Sequence, residues 1–171
     1  MRIALTGGIA CGKSLFAKFL NELGVKTLDA DDVVHDIIPA DERKRIADEI
    51  FRDPSKRKEL EARIHPLVRE RLEDFDRNTA GLKIEIIPIL FECHWESDYD
   101  IIACVSSPRS LQVERMTSKR GYSEEQAEAR LSAQIPVEEK AARSHYVIEN
   151  AGSAENLKQE AKRLLDWLKG R

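Results

Sequence analysis

The stretch TGGIACGKS, residues 6–14, decides the fold of this chain. It contains the pattern G-x-x-x-x-G-K-S, matched by Gly7, Gly12, Lys13 and Ser14. Glycine lets successive backbone N–H groups turn toward one anion, and a helix that begins at the lysine adds further N–H groups and the positive end of its dipole. The stretch therefore predicts a loop for the phosphates of a nucleoside triphosphate, with Lys13 on the β- and γ-phosphates and Ser14 on Mg²⁺.

The flanking sequence agrees with this prediction. RIALT, residues 2–6, predicts a first strand, and VKTL, residues 25–28, predicts a second. Between them, apolar residues recur at helical spacing: Phe16, Phe19, Leu20 and Leu23. Two strands joined by a helix form a βαβ unit, which implies a parallel sheet. The alternative, a glycine-rich turn that only closes the corner between strand and helix, is disfavoured by this context.

The rest of the chain alternates short apolar runs with longer amphipathic segments. Further strands are predicted at residues 83–90, 100–105 and 145–150, which gives an α/β fold with about five strands. Residues 41–78 look helical, and Pro54 and Pro66 are expected to break them into three pieces.

Three further helices are predicted toward the end of the chain. The first has Ser106 or Ser107 as its cap and Pro108 in its first turn, and the second begins with a capping box at Ser123 and Gln126 and runs to about residue 134. The last buries one face made of Leu157, Ala161, Leu164, Leu165 and Leu168.

Composition limits the possible functions. A chain of 171 residues suits one domain, and a formal net charge of -3 disfavours general nucleic-acid binding. Three cysteines without a CxxC pair argue against a disulfide framework or a structural zinc site. We see no signal segment and no apolar run of about 20 residues, so we expect a cytoplasmic protein without a membrane anchor. The oligomeric state stays open.

Several motifs together resemble the dephospho-coenzyme A kinase family, over nearly the whole chain and in the family's order. They are LTGGIACGKS (5–14), LDADDVVHDII (28–38), IFRDPSKRKELEARIHPLVRE (50–70), IPILFE (87–92) and the run 115–152. The resemblance implies transfer of the ATP γ-phosphate to the ribose 3′-hydroxyl of dephospho-coenzyme A, the last step of coenzyme A synthesis. It also implies that residues 1–171 form a single P-loop kinase domain with a fold of the P-loop NTPase type.

That domain would be a three-layer α/β/α fold with a five-stranded parallel sheet. It would carry a helical acceptor-binding insertion at about 36–78 and a lid at about 116–137. The substrates implied are small molecules, ATP and dephospho-coenzyme A, with Mg²⁺ as cofactor.

The loop pattern and the resemblance give a set of expected site residues. Expected nucleotide contacts are Gly8, Ile9, Ala10, Cys11, Gly12, Lys13, Ser14, Leu15, Arg120 and Arg143. Expected acceptor contacts are Asp31, His65, Pro88 and Glu92, and expected metal ligands are Ser14 and Asp29. Expected catalytic residues are Lys13, Asp31 and Arg115.

Asp31 follows the second strand, at the sheet edge where α/β proteins bind ligands, and its carboxylate could accept a hydrogen bond from the attacking hydroxyl. The alternative is that Asp31 or Asp32 caps the next helix. Asp29 could assist Mg²⁺ through water. Arginine suits phosphoryl oxygens, which favours Arg115, although any arginine of so charged a chain could simply face solvent.

Other positions keep more than one interpretation. Arg143 contacts phosphate or lies over the adenine. His65 faces the acceptor or sits buried at a helix junction. Glu92 ends the apolar run of the third strand and meets the acceptor or a basic lid residue, or it simply terminates the strand. Cys11 is a small loop residue rather than a nucleophile.

The chain departs from the family in three places. Leu15 stands where the family has threonine, Cys11 replaces a small polar residue, and the helical segment after Ile38 is shortened. Two other functions stay open: a P-loop kinase for another small alcohol or a nucleoside monophosphate, and an ATP-binding switch without transfer activity. The shortened segment favours only the second of them.

Overall fold

A computed structural model of the protein describes residues 1–39, 41–43, 46 and 54–171. Within them the strands are β1 (Ile3–Gly7), β2 (Lys26–Asp29), β3 (Lys83–Ile86), β4 (Ile101–Ser106) and β5 (Tyr146–Glu149). They form one sheet in the order β2-β3-β1-β4-β5. β1 pairs in parallel with β3 and with β4, and β4 pairs in parallel with β5. The predicted five-stranded parallel sheet is confirmed.

Helices connect these strands. In the described residues they are α1 (Lys13–Glu22), α2 (Ala30–Ile37), α3 (Pro54–Asn78), α4 (Arg109–Arg120), α5 (Glu124–Ser132), α6 (Val137–Ala142) and α7 (Ala154–Lys169). A 3-10 turn, Glu96–Asp98, precedes β4. None of the described helices combines the length and the apolar character that crossing a membrane requires.

The chain divides into two compact units. The first unit comprises residues 1–27 and 81–171, and the second comprises residues 28–80. The core of the first unit is built from residues of the sheet together with α1 and α7, among them Leu5, Phe16, Val105 and Leu164. In the second unit α2 packs against α3. The expected acceptor-binding role of the helical insertion stays a prediction, and its residues 40, 44–45 and 47–53 lie outside the described part.

Two helix starts show how local sequence sets the ends of the elements. At α5 the Ser123 side chain accepts from the Gln126 N–H while the Gln126 side chain accepts from the Ser123 N–H, so the predicted capping box is confirmed. At α4 the predicted serine cap is wrong. Pro108 occupies the cap position without a side-chain bond, and the Ser107 hydroxyl donates instead to the Asn150 carbonyl at 2.8 Å.

The third strand is shorter than predicted. β3 ends at Ile86, and the chain turns at residues 87–90, where the Ile87 N–H still donates to the Leu5 carbonyl at 2.9 Å. Pro88 has no N–H with which to continue a ladder, which accounts for the early end. The chain beyond it is therefore free to form a loop at the carboxyl edge of the sheet.

The predicted helix break at Pro66 is also wrong. α3 runs through Pro66 over 25 residues. Ile64, Val68 and Leu72 are buried at helical spacing on either side of it. Burying an apolar side chain at each of these positions contributes about 1.5–3 kcal/mol of stability. Together these contributions offset the roughly 3 kcal/mol that an interior proline costs. Pro54, by contrast, is the first residue of α3, where proline is well tolerated.

Gly7 is required by a close approach of two backbones, and we predict that Gly7→Ala destabilises the fold. Its φ is +146°, and a β-carbon there would lie 2.3 Å from the backbone oxygen of Val105 in the adjacent strand β4. Relieving that overlap must separate paired strands, so we expect a loss of about 3 kcal/mol or more. Chemical denaturation measures it, with the exposed Gly24→Ala as a control for an added methyl group at positive φ without a clash. Equal losses in the two variants would refute the steric argument.

Candidate functional site

The predicted phosphate loop lies between β1 and α1 and has an unusual backbone. Ala10 (φ 58°) and Gly12 (φ 95°) both adopt the left-handed conformation. The Cys11 N–H donates to the Gly8 carbonyl at 3.3 Å, which closes a tight turn. Since α1 begins at Lys13, the N–H groups of its first turn have no partners inside the helix. Such a helix end attracts anions.

Lys13 extends back over the loop. Its Nζ donates to the carbonyls of Gly7 at 3.0 Å and Gly8 at 2.9 Å. Its full positive charge therefore lies beside the backbone that is expected to surround the phosphates. Ser14, next in the sequence, is exposed in the first turn of α1.

Three side chains from other elements bind the loop's carbonyl groups. The Gln112 amide donates to the Ile9 carbonyl at 2.8 Å and contacts the Cys11 sulfur at 3.0 Å. The remaining two donors are Arg115, whose guanidinium reaches the Ala10 carbonyl at 3.1 Å, and Asn150, whose amide reaches the Cys11 carbonyl at 2.8 Å.

Arg115 is the centre of a small network behind the loop. Besides the Ala10 carbonyl, its guanidinium donates to the Ser107 hydroxyl and to the Asn150 carbonyl, each at 3.0 Å. These acceptors lie at the ends of β4 and β5, so Arg115 ties both strand ends to the loop. A direct contact of Arg115 with phosphate stays a prediction.

Cys11 has the properties of a packing residue. Its side chain is fully buried, and this burial raises the pKa of the thiol above its usual value, opposed by the nearby charge of Lys13. Burial likewise raises the pKa of Cys104 to about 12. Both thiols stay protonated at neutral pH and are poor nucleophiles there. This chemistry agrees with the interpretation of Cys11 as a small loop residue.

Pro88 and Glu92 lie in the turn that follows β3. The Pro88 carbonyl accepts from the Lys140 Nζ at 2.8 Å and from the Thr6 hydroxyl at 3.4 Å. Glu92 pairs with the same fully buried Nζ at 2.7 Å and accepts from the Ile135 N–H at 3.1 Å. Of the interpretations of Glu92, the basic partner is present in the structure, although Lys140 lies just beyond the expected lid. Glu92 does not end the third strand.

Comparison with known proteins shows the family to which the chain belongs. The family model for dephospho-CoA kinase matches residues 1–44 and 40–156. The chain belongs to the dephospho-CoA kinase family. A curated dephospho-CoA kinase of Anaeromyxobacter dehalogenans is 37% identical over 194 residues, which cover 98% of this chain and 92% of that protein. The two matched stretches overlap at residues 40–44, close to the helical segment after Ile38 that we expect to be shortened.

Solved structures agree with this membership. The structure of TT1252 from Thermus thermophilus has a TM-score of 0.83 at 32% identity and covers 98% of this chain and 97% of its own. The dephospho-CoA kinase of Campylobacter jejuni has a TM-score of 0.72 at 27% identity, with coverage of 99% and 98%. The predicted P-loop kinase fold is confirmed.

Two of the basic residues expected from the dephospho-CoA kinase motifs lie at exposed positions of the first unit. The Arg143 guanidinium lies 4.2 Å from the centre of the Phe91 ring and pairs with Glu96 at 2.6 Å. Arg120 ends α4 next to Gly121, whose φ is +68°. Leu15, the departure from the family's threonine, is 39% exposed in α1. Nucleotide contacts of these three residues stay predictions.

In the second unit the D-A-D motif of the dephospho-CoA kinase family starts a helix. Asp29 is the cap of α2, and its Oδ1 accepts from the Asp31 N–H at 2.9 Å. The alternative in which Asp31 or Asp32 caps this helix is therefore wrong. Both carboxylates are exposed in the first turn of α2, which leaves Asp31 available for chemistry. His65 is half-buried within α3, so its predicted position at a helix junction is also wrong.

Sequence reasoning missed four residues of the first unit that bind groups of the phosphate loop, of Arg115 or of the turn after β3. They are Ser107, Gln112, Lys140 and Asn150. All four are buried polar side chains. The one available signal was position: Ser107 and Asn150 directly follow the ends of two strands, at the edge where parallel sheets bind ligands.

Proposed function

We propose that this chain transfers the γ-phosphoryl group of ATP to the ribose 3′-hydroxyl of dephospho-coenzyme A, which gives ADP and coenzyme A. This is the last step of coenzyme A biosynthesis. The observation that carries the proposal is a phosphate loop, with Lys13 folded over its carbonyls, in a chain that belongs to the dephospho-CoA kinase family.

The loop and Lys13 would bind the transferred group. Phosphoryl transfer spreads negative charge over the equatorial oxygens and the β,γ-bridging oxygen, and the chemistry is mostly positioning and charge stabilisation. Loop N–H groups, the first turn of α1 and the Lys13 ammonium supply positive charge to those oxygens. Arg120 and Arg143 are proposed to add to it when the predicted lid closes over ATP and excludes water.

Asp31 would act on the acceptor. Its carboxylate accepts a hydrogen bond from the 3′-hydroxyl and takes the proton as the new bond forms between the 3′-oxygen and the γ-phosphorus. The bond from that phosphorus to the β,γ-bridging oxygen breaks, and ADP leaves with the electron pair. His65, Pro88 and Glu92 are proposed to contact the acceptor, and this assignment rests on the family motifs.

Mg²⁺ is compatible with the groups that the chain offers. The described residues contain no group of three or more His, Cys, Asp or Glu side chains arranged to hold a metal ion. Mg²⁺ does not need a cluster of protein ligands, because it usually keeps several waters and takes its other ligands from one or two protein oxygens and the substrate phosphates. The exposed Ser14 hydroxyl would be one ligand, and Asp29 would assist through water. When bound, the ion neutralises phosphate charge.

The remaining proposals concern location and partners. Three cysteines without a CxxC pair favour a reducing compartment, and we propose that the chain works in the cytoplasm. We propose small-molecule partners only, because the net charge of -3 provides no general attraction for nucleic acid.

The direct test is a panel of acceptors with ADP formation and product mass as the two readouts. We expect rapid turnover with dephospho-coenzyme A, a product heavier by one phosphoryl group, and little turnover with nucleoside monophosphates. Coenzyme A is the matched control, because its 3′-oxygen is already phosphorylated. Turnover that prefers another alcohol would favour the alternative kinase, and ATP binding without acceptor-stimulated turnover would favour the switch protein.

A further inference from the structure

Three consecutive carbonyl groups of the phosphate loop are each bound by a side chain from outside the loop. Ile9 is bound by Gln112, Ala10 by Arg115 and Cys11 by Asn150, at 2.8, 3.1 and 2.8 Å. We propose that the two amide side chains, Gln112 and Asn150, are positioning residues that hold the loop in its phosphate-binding conformation. We call this pair the amide clamp. The inference rests on the proposed function, because it concerns how ATP is bound.

Peptide geometry connects the clamp to the ligand. A trans peptide is planar, and its C=O and the following N–H point in opposite directions. When the Gln112 amide holds the Ile9 carbonyl on one side, the Ala10 N–H must point to the other. The same relation connects the Cys11 carbonyl, held by Asn150, with the Gly12 N–H. The clamp therefore sets the direction of N–H groups that never touch it.

The glycines of the loop give independent support. A β-carbon on Gly8 would lie 2.4 Å from the Gln112 Nε2, and one on Gly12 would lie 2.4 Å from the Asn150 Nδ2. Approaches under 3.0 Å are essentially never seen for real β-carbons. Glycine at these two positions thus makes room for the clamp as well as for the phosphates.

Both side chains of the amide clamp are buried, which strengthens their hold on the loop carbonyls. Gln112 is 3% exposed and Asn150 is 6% exposed, so little water competes for their amide groups. The backbone of Asn150 is itself held, because its N–H donates to the Ser106 carbonyl at 2.8 Å and its carbonyl accepts from Ser107 and Arg115. A buried carbonyl that loses its donor costs about 1–3 kcal/mol, which is enough to favour a different loop conformation.

The first test replaces Gln112 by methionine, which has a similar shape and no donor. Calorimetric titration should show affinity for ATP reduced about tenfold, roughly the equivalent of one hydrogen bond. Affinity for inorganic tripolyphosphate should fall by the same factor, because the clamp acts on the phosphate loop. Gln159→Met is the matched control. That amide is exposed on α7 and donates to Glu155 at 2.8 Å, so its loss should leave both affinities unchanged.

The second test is a double-mutant cycle that stays informative if Gln112→Met proves unstable. Gly8→Ala should weaken ATP binding because its methyl group displaces the Gln112 amide. In a Gln112→Ala background that overlap is gone, and only the milder approaches to the Cys11 sulfur at 3.0 Å and the Val137 Cβ at 3.1 Å remain. The double variant should therefore lose clearly less ATP affinity than the product of the two single losses. Losses that simply multiply would show no coupling and would overturn the clamp.

The possible outcomes distinguish a failure of the amide clamp from a failure of the proposed function on which it rests. If Gln112→Met binds ATP like the unmodified protein while that protein phosphorylates dephospho-coenzyme A, the clamp is wrong and the proposed function stands. If the unmodified protein binds neither ATP nor tripolyphosphate, both are wrong. An equal loss for the two ligands, with melting temperatures matched to Gln159→Met, supports the clamp.

Discussion

Replacing Lys13 by methionine should lower turnover of ATP and dephospho-coenzyme A by about a hundredfold to a thousandfold, the usual result of removing one donor to a developing negative charge. Methionine keeps most of the length and the apolar stem of lysine, so the change removes little besides the ammonium group. That group lies 3.0 and 2.9 Å from the carbonyls of Gly7 and Gly8, directly over the loop. Steady-state ADP release, measured with both substrates saturating, checks the effect on kcat.

Two controls distinguish lost charge stabilisation from a disturbed loop. Lys18→Met removes an exposed ammonium from the same helix and should leave kcat unchanged. Because the Lys13 Nζ also bonds two loop carbonyls, melting temperatures of both variants are compared with the unmodified protein. A Lys13→Met enzyme that keeps kcat within twofold of the Lys18→Met enzyme would refute the role assigned to Lys13.

The phosphate loop could be predicted from sequence because its causes are local. Two glycines, a lysine and a serine occupy neighbouring positions, and each is needed for a reason that acts within a few residues. The sheet could be predicted equally well, since short apolar runs alternate with amphipathic helices along the chain. The predicted start and end of each strand then differed from the structure mainly at β3, where Pro88 interrupts the pairing.

The partners that hold the loop could not be predicted in the same way. Gln112 is 101 residues from Cys11 in the sequence, and Asn150 is 139 residues from it. Gln112 belongs to no spacing pattern, and Asn150 is marked only by its position directly after β5. Their contacts with the loop form only when the sheet brings the ends of β1, β4 and β5 together. Buried polar side chains that bind a distant backbone leave almost no signal in a single sequence.

The roles of charged residues and the effect of Pro66 on its helix were hard to predict for a related reason. With 35% of residues charged, no arginine or glutamate stands out from a solvated surface until its partner is seen, as Lys140 shows for Glu92. Local propensity failed at Pro66, where burial of neighbouring apolar residues outweighs the cost of the missing N–H. In both cases the deciding contact is tertiary.

The D-A-D motif illustrates how the structure separates two roles that one sequence pattern contains. Asp29 is engaged as the helix cap through its Oδ1, whereas Asp31 contributes only its N–H to that cap. The Asp31 carboxylate is exposed in the first turn of α2, beside an equally exposed Asp32. Two neighbouring carboxylates in the same turn, only one of which is assigned to the reaction, provide a sharp comparison.

Asp31→Asn should reduce kcat by about a hundredfold or more, the range by which a positioned general base contributes, while the affinity for ATP stays nearly unchanged. Asparagine preserves shape and removes the group that accepts the proton of the 3′-hydroxyl. Asp32→Asn is the matched control, because both carboxylates stabilise the helix N-terminus by a similar amount, about 0.3–1 kcal/mol. Single-turnover formation of coenzyme A, with ATP binding measured separately, reports the two effects.

The comparison between the two asparagine variants decides the assignment. A shared loss of stability with a loss of turnover confined to Asp31→Asn would place this carboxylate at the reacting hydroxyl, since the effect on the helix dipole is common to both. Equal turnover in the two variants would remove Asp31 from the chemical step. The D-A-D motif would then act only as a helix start, and the proton of the 3′-hydroxyl would need another acceptor.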